Sequence, residues 1–267
     1  MSPREYTLTE PRAFLFDLDG TLYTNSGPVP GAPEALDRLR QGEVPFRLVT
    51  NTTSRSRALL VQRLTGYGFT VSVEELFTAT RAGADVARRA GYHTVAPFLA
   101  EAALADLDAL SLSGGTSGRP AGDTPDAVLI GDLGERWSYA LLQEAFEYLM
   151  SGAALIALSR DRYWLRDGRL ALDAGPFVAG LEFAVGKSAT VAGKPSAAFY
   201  AAALQSMGCD ASQPAAMVGD DLWSDVEGAQ RAGLQGWLVR TGKYRESALT
   251  ASGISPDRIL DSVAALG

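Results

Sequence analysis

Four short segments of this 267-residue chain carry side chains that could do chemistry together. The first is Phe16-Asp17-Leu18-Asp19-Gly20-Thr21. It sets two carboxylates two residues apart, directly after the apolar run Ala13-Phe14-Leu15-Phe16. At the exit of a buried strand such carboxylates repel one another and resist desolvation. A cation resolves both problems, and oxygen ligands of this kind suit Mg²⁺. Gly20 permits a tight turn whose N–H groups face an anion such as phosphate.

The second segment, Val49-Thr50-Asn51-Thr52, runs an apolar strand into hydroxyl and amide donors. The third, Gly193-Lys194-Pro195-Ser196, sets a lysine just before a helix start. The fourth, Met217-Val218-Gly219-Asp220-Asp221 with Asp225 further on, again ends a strand in adjacent carboxylates. Each has a plainer reading. Thr50-Asn51 also suits a helix cap, Lys194 a solvated surface position, and the acids of the fourth segment a helix dipole. What outweighs these readings is the shared placement, because ligands of open parallel α/β sheets bind beyond the carboxyl ends of the strands.

The elements that must position these residues read as βαβ units. Short apolar runs alternate with amphipathic stretches, the pattern of an α/β fold with a mostly parallel sheet. Strands are expected at 13–16, 46–49, 215–218 and 236–239, with helices at 34–40, 56–64, 196–207 and 226–232. A closing helix is expected at Pro256 to Leu266. Between about Thr78 and Lys187 lies a stretch with its own strands at 128–130 and 154–158 and a helix at 139–150, enough for an inserted α/β module. Ser111 to Asp123 is rich in Gly, Ser and Pro and reads as an exposed loop within it.

Composition narrows the chemistry. The formal charge is −7 and no Lys/Arg cluster stands out, which argues against a nucleic-acid partner. An anionic substrate must therefore be drawn in by local positive charge. The single histidine, His93, excludes a multi-His metal site, and the single cysteine, Cys209, excludes an intrachain disulfide. Both read as residues without a chemical role. Any catalysis must come from carboxylates, lysine and hydroxyls. The opening MSPREYTLTEPR is polar and no apolar run approaches a membrane span. No membrane partner and a reducing, cytoplasmic setting are the expectation.

With these residues in order, the sequence resembles the haloacid-dehalogenase (HAD) superfamily. Phe16 to Thr21 resembles its motif I, Thr50-Asn51 motif II, Lys194 motif III, and Gly219-Asp220-Asp221 with Asp225 motif IV. The long insertion between motifs II and III resembles the large α/β cap of the NagD-like subfamily IIA, and the runs at 46–53 and 239–244, outside that insertion, resemble members of the same subfamily. The resemblance implies a Rossmann-like core over residues 1–78 and 187–267, with an α/β cap over 79–186. It also implies a Mg²⁺-dependent phosphatase acting on a small phosphorylated substrate through an aspartyl-phosphate.

In that reading Asp17 is the nucleophile, and Asp19 is the general acid and then the base. Mg²⁺ is held by the Asp17 carboxylate, the Asp19 backbone carbonyl and Asp220, while Asp221 and Asp225 hold its waters or orient Lys194. Phosphate oxygens meet Leu18, Gly20, Thr21, Thr50, Asn51 and Lys194. The cap closes over the site and supplies specificity from Ser159 to Trp164, with Arg160, Arg162 and Tyr163 the candidates. A homodimer through the cap belongs to the same implication. The rival within enzymes is a phosphomutase, which returns the phosphoryl group to substrate; a non-catalytic binding protein is the rival from another class. The strand-then-Gly131-Asp132 sequence mimics motif IV inside the cap and reads as a turn.

Overall fold

A computed structural model describes residues 10–120, 122, 124–166, 169–210 and 213–266. It divides into two compact units, one of residues 1–49, 64–75 and 200–267, the other of residues 50–63 and 76–199. Each is an α/β unit built on a parallel sheet, so the α/β class expected from the sequence holds.

In the first unit the strands Arg258–Leu260, Gln235–Val239, Ala215–Gly219, Ala13–Asp17 and Phe46–Thr50 lie side by side in that order, all parallel. Ala13–Asp17 is buried along its whole length. A strand covered on both faces carries a continuous apolar run instead of an alternating one, which is why Ala13-Phe14-Leu15-Phe16 was legible as a strand. Phe14 meets Phe16 and Trp237 at ring-centroid distances of 5.8 and 5.5 Å. Each such side chain contributes about 1.5–3 kcal/mol by leaving water.

The expected closing helix is not formed. Residues Arg258–Leu260 are instead an edge strand, followed by a single 3₁₀ turn at Val263–Ala265. Pairing decides it: Ile259 is in register with Leu238, and the Arg258 guanidinium lies 4.2 Å from the centroid of the Trp237 ring. Sheet hydrogen bonds and a cation–π contact outcompete a short, weakly periodic helix.

In the second unit the strands Thr190–Val191, Ala154–Ala157, Ala127–Ile130, Thr94–Phe98 and Ser111–Leu112 form another parallel sheet, in that order. The stretch expected as a loop from Ser111 thus begins as a short edge strand. Helices Tyr139–Met150 and Ala174–Val185 cover this sheet through Leu149, Val178 and Leu181, packed with Phe98, Val128, Ile130 and Leu155. Ser138 caps the first of them, accepting a hydrogen bond from Leu141 N–H at 3.3 Å. Trp137 stacks on Phe177 at 4.6 Å. Strands Tyr163–Arg166 and Arg169–Leu172 pair antiparallel. Among the described residues no helix is long and apolar enough to cross a membrane.

Candidate active site

In the first unit, neighbouring strands deliver their carboxylates side by side. Phe16 is in register with Val218, so Asp17, the last residue of its strand, comes beside Gly219 and Asp220. Asp225 follows in a π-helix at Leu222–Glu227, a rare helix type that occurs frequently at functional sites. Carboxylate oxygens of Asp17, Asp220 and Asp225 all lie within 4.8 Å of one another. The three residues are 8%, 3% and 0% exposed.

Burial first, and then the neighbouring Asp17 and Asp225 carboxylates, push the Asp220 carboxyl well above its ordinary value. Three acids this close and this dry favour their charged forms only beside a cation. The donor set therefore fits a hard divalent ion. It differs from the expected ligand set in one respect: the Asp225 carboxylate stands inside the cluster with Asp17 and Asp220.

Asp19 has the opposite setting. Two residues after buried Asp17, it is exposed, and the Tyr23 hydroxyl donates to its carboxylate at 3.1 Å. Between them Leu18 is buried, and its carbonyl accepts the Leu22 N–H at 2.9 Å. Gly20 takes a φ of +89°, open to glycine and costly for other residues. A Cβ there would come within 1.9 Å of Asp220 Oδ2. Thr21 is fully buried, and its hydroxyl has no hydrogen-bond partner. An orphaned buried hydroxyl is uncommon.

A segment absent from the expected site completes this half. After strand Gln235–Val239, Thr241 donates its hydroxyl to the Gly20 carbonyl. Lys243 donates its backbone N–H to Asp220 Oδ2 at 2.6 Å and its ammonium to Asp221 Oδ2 at 2.8 Å. Burial is the largest single influence on Asp221 and pushes its carboxyl up. Lys243 and the Ser224 and Trp223 N–H groups together outweigh it and hold the carboxyl below its usual range. Burial likewise opposes the Lys243 charge, but Asp221, Asp220 and Asp17 leave its ammonium above its ordinary value. The strand-end rule that found the other segments also covers Thr241-Gly242-Lys243, which lies just past a strand.

The second unit holds the other expected residues. Thr50 is the last residue of the strand Phe46–Thr50 and is buried. Its hydroxyl accepts the Thr52 N–H at 3.1 Å. Asn51 and Lys194 grip one another: Lys194 N–H donates to Asn51 Oδ1 at 2.8 Å, and Asn51 Nδ2 donates to the Lys194 carbonyl at 3.0 Å. Lys194 is only 3% exposed, unlike an ordinary surface lysine, and is joined to Pro195 by a cis peptide bond. Asn51 Nδ2 also reaches Asp161 Oδ2 at 3.2 Å, a contact not foreseen. Of the cap candidates, Arg160 pairs with Glu182 at 2.8 Å. Arg162 lies over the exposed ring of Tyr163 at 5.7 Å. Gly131-Asp132 is a turn, closed by Gly134 N–H donating to Asp132 Oδ1 at 2.7 Å.

Comparison with known proteins places the chain. A family model described as haloacid dehalogenase-like hydrolase matches residues 14–113, and a second, HAD-hydrolase-like, matches 191–266. Haloacid dehalogenase-like hydrolase domain-containing protein 2 from Homo sapiens is 42% identical over 238 residues, 88% of this chain and 86% of its own. Phospholysine phosphohistidine inorganic pyrophosphate phosphatase from Homo sapiens is 35% identical over 272 residues, 99% of this chain and 96% of its own. The glycerol phosphate phosphatase of Mycobacterium tuberculosis, solved with calcium, superposes with a TM-score of 0.81 at 30% identity, covering 96% of this chain and 74% of that one.

An α/β fold with an acidic cluster at its strand ends and relatives of this kind defines a hydrolase of the phosphatase class. The chain belongs to the haloacid dehalogenase-like hydrolase family, in its NagD-like subfamily IIA.

Proposed function

We propose that the protein hydrolyses a small phosphorylated substrate through a covalent aspartyl-phosphate on Asp17. The observation that carries this reading is the contrast between buried Asp17, clustered with Asp220 and Asp225, and exposed Asp19 two residues on. Asp17 attacks phosphorus in line and the leaving group departs from the opposite side. Asp19 protonates that leaving group and afterwards takes a proton from the water that hydrolyses the acyl phosphate. Its exposure and its hydrogen bond from Tyr23 suit a group that exchanges protons with solvent and substrate.

The Asp17, Asp220 and Asp225 carboxylates and the Asp19 carbonyl would hold Mg²⁺. When bound, the ion neutralises charge on the transferring phosphoryl group. The same Mycobacterium phosphatase has been solved with magnesium as well as with calcium. Lys194, Thr50 and Asn51 are assigned the equatorial phosphate oxygens, on their residue types and their match to the family motifs. Leu18, Gly20 and Thr21 are assigned backbone and hydroxyl contacts in the same way.

Residues 79–186 are taken as the cap, with Arg160, Arg162 and Tyr163 as specificity contacts. A homodimer through this region is supported by the exposure of Tyr139, Met150 and Phe183. The lone cysteine, the formal charge of −7 and a sequence in which no Lys/Arg cluster stands out support a cytoplasmic enzyme without a nucleic-acid partner. The names of the relatives set the substrates to try: phospholysine, phosphohistidine, pyrophosphate and glycerol phosphate.

The test is release of inorganic phosphate from that panel, with and without chelator and with Mg²⁺ restored. Metal-dependent turnover of at least one member, with free phosphate as product, is expected. Transfer of the phosphoryl group to a second substrate position, with no phosphate released, would replace hydrolysis by a mutase reaction.

A further inference from the structure

We propose that Lys243 sorts the two adjacent carboxylates after strand Ala215–Gly219, holding Asp220 in the acidic cluster and Asp221 out of it, and thereby sets the preference for Mg²⁺ over Ca²⁺. The inference rests on the metal reading above. Asp220 and Asp221 are chemically identical neighbours, and nothing in their residue type says which should face an ion. The structure treats them differently, and Lys243 touches both.

Asp220 Oδ2 receives the Lys243 backbone N–H at 2.6 Å. The same oxygen is enclosed by two glycines, since a Cβ at Gly20 or Gly242 would come within 1.9 or 2.0 Å of it. That carboxylate is thus fixed at one oxygen, and it lies in the cluster with Asp17 and Asp225. Asp221 is occupied at both oxygens. Its Oδ1 accepts the Trp223 and Ser224 N–H groups, each at 3.0 Å, at the start of the π-helix. Its Oδ2 accepts the Lys243 ammonium at 2.8 Å.

Removing the ammonium leaves the helix cap and the Asp220 contact in place, because the latter is made by the backbone. It strips Asp221 Oδ2 of the one charged partner it has among the described residues, on the residue that directly follows Asp220 in sequence. A further carboxylate oxygen then becomes available to the ion. Mg²⁺ demands a near-ideal octahedron, whereas Ca²⁺ accepts six to eight oxygens in looser geometry. An added ligand therefore favours Ca²⁺. The Lys243 side chain is 62% exposed, so its pair with Asp221 adds little to global stability. The expected effect is on ion choice and not on folding.

The experiment is calorimetric titration of Mg²⁺ and of Ca²⁺ into the full chain and its variants, with thermal melting of the metal-free proteins as a folding control. In K243M the ratio of Mg²⁺ to Ca²⁺ affinity should fall by about tenfold to a hundredfold, the range typical of groups that orient metal ligands. K243R should recover most of it. K243M/D221N should also recover it, since the released carboxylate is gone. D221N alone should keep the ratio of the parent, and this holds as a test even if K243M fails to fold. A parent protein that binds Mg²⁺ while K243M keeps its ratio, or a D221N variant that loses Mg²⁺ binding, overturns this inference alone. A parent protein that binds neither ion overturns the metal reading and the inference with it.

Discussion

Two turns in this molecule begin alike and end differently. Val128-Leu129-Ile130-Gly131-Asp132 and Met217-Val218-Gly219-Asp220-Asp221 both run a buried parallel strand into glycine and aspartate. At the first, Asp132 closes its own loop onto Gly134, and its N–H is satisfied by the Thr53 hydroxyl at 2.8 Å. At the second, Asp220 is buried against two further carboxylates. The neighbouring strands make the difference. Ile130 is in register with Phe98 and Ala157, and the residues after those are Leu99 and Leu158. Val218 is in register with Phe16, and the residue after that is Asp17. The adjacent strands deliver leucines beside the first acidic strand end and a second acid beside the other.

The sharpest way to break this comparison is at the acid supplied by the neighbour. Asp17→Asn should lower kcat by about a thousandfold or more, as loss of a nucleophile does, with the fold retained by circular dichroism. Residual activity near that of the parent would show that the second turn is no more catalytic than the first.

A smaller effect should appear in stability against pH, measured by denaturation of the metal-free protein. The folded-state carboxyl of Asp220 is raised above its unfolded value, by burial and then by Asp17 and Asp225. Its contribution to stability is thus fully present below the unfolded value of about 3.9 and is lost as pH rises through the raised one. Asp220→Asn should flatten this decline, and added Mg²⁺ should oppose it in the parent but not in the variant. An unchanged slope in Asp220→Asn would place the cause elsewhere. The smallest effect belongs to the other turn. Asp132→Asn should leave kcat/KM within about twofold, the scale of a substitution that loses no buried partner.

Much of this was readable in the sequence, for identifiable reasons. Ala13-Phe14-Leu15-Phe16 and Ala215-Ala216-Met217-Val218 announce doubly covered strands, and the polar residues that follow them mark the end where chemistry collects. The helix at Tyr139–Met150 fell where its period set it. What stayed hidden depends on partners distant in sequence. Arg258–Leu260 became a strand because a sheet edge at Leu238 was waiting for it. Asp225 joined the cluster because a π-helix, invisible to a 3.6-residue period, carries it there. Lys243 lay within reach of the strand-end rule, just past Gln235–Val239, but half its role is played by a backbone N–H, which no side-chain pattern reports. Asp161 meets Asn51 across 110 residues, a pairing no local spacing encodes.

The account turns on Asp17 accepting a phosphoryl group. Rapid acid quench during turnover of a phosphate ester, followed by peptide mass spectrometry, measures this directly. The phosphoryl group should appear on the peptide containing Asp17, should depend on Mg²⁺, and should be missing from Asp17→Asn. Turnover at full rate with the label on another residue, or with Asp17→Asn equally active, would contradict it.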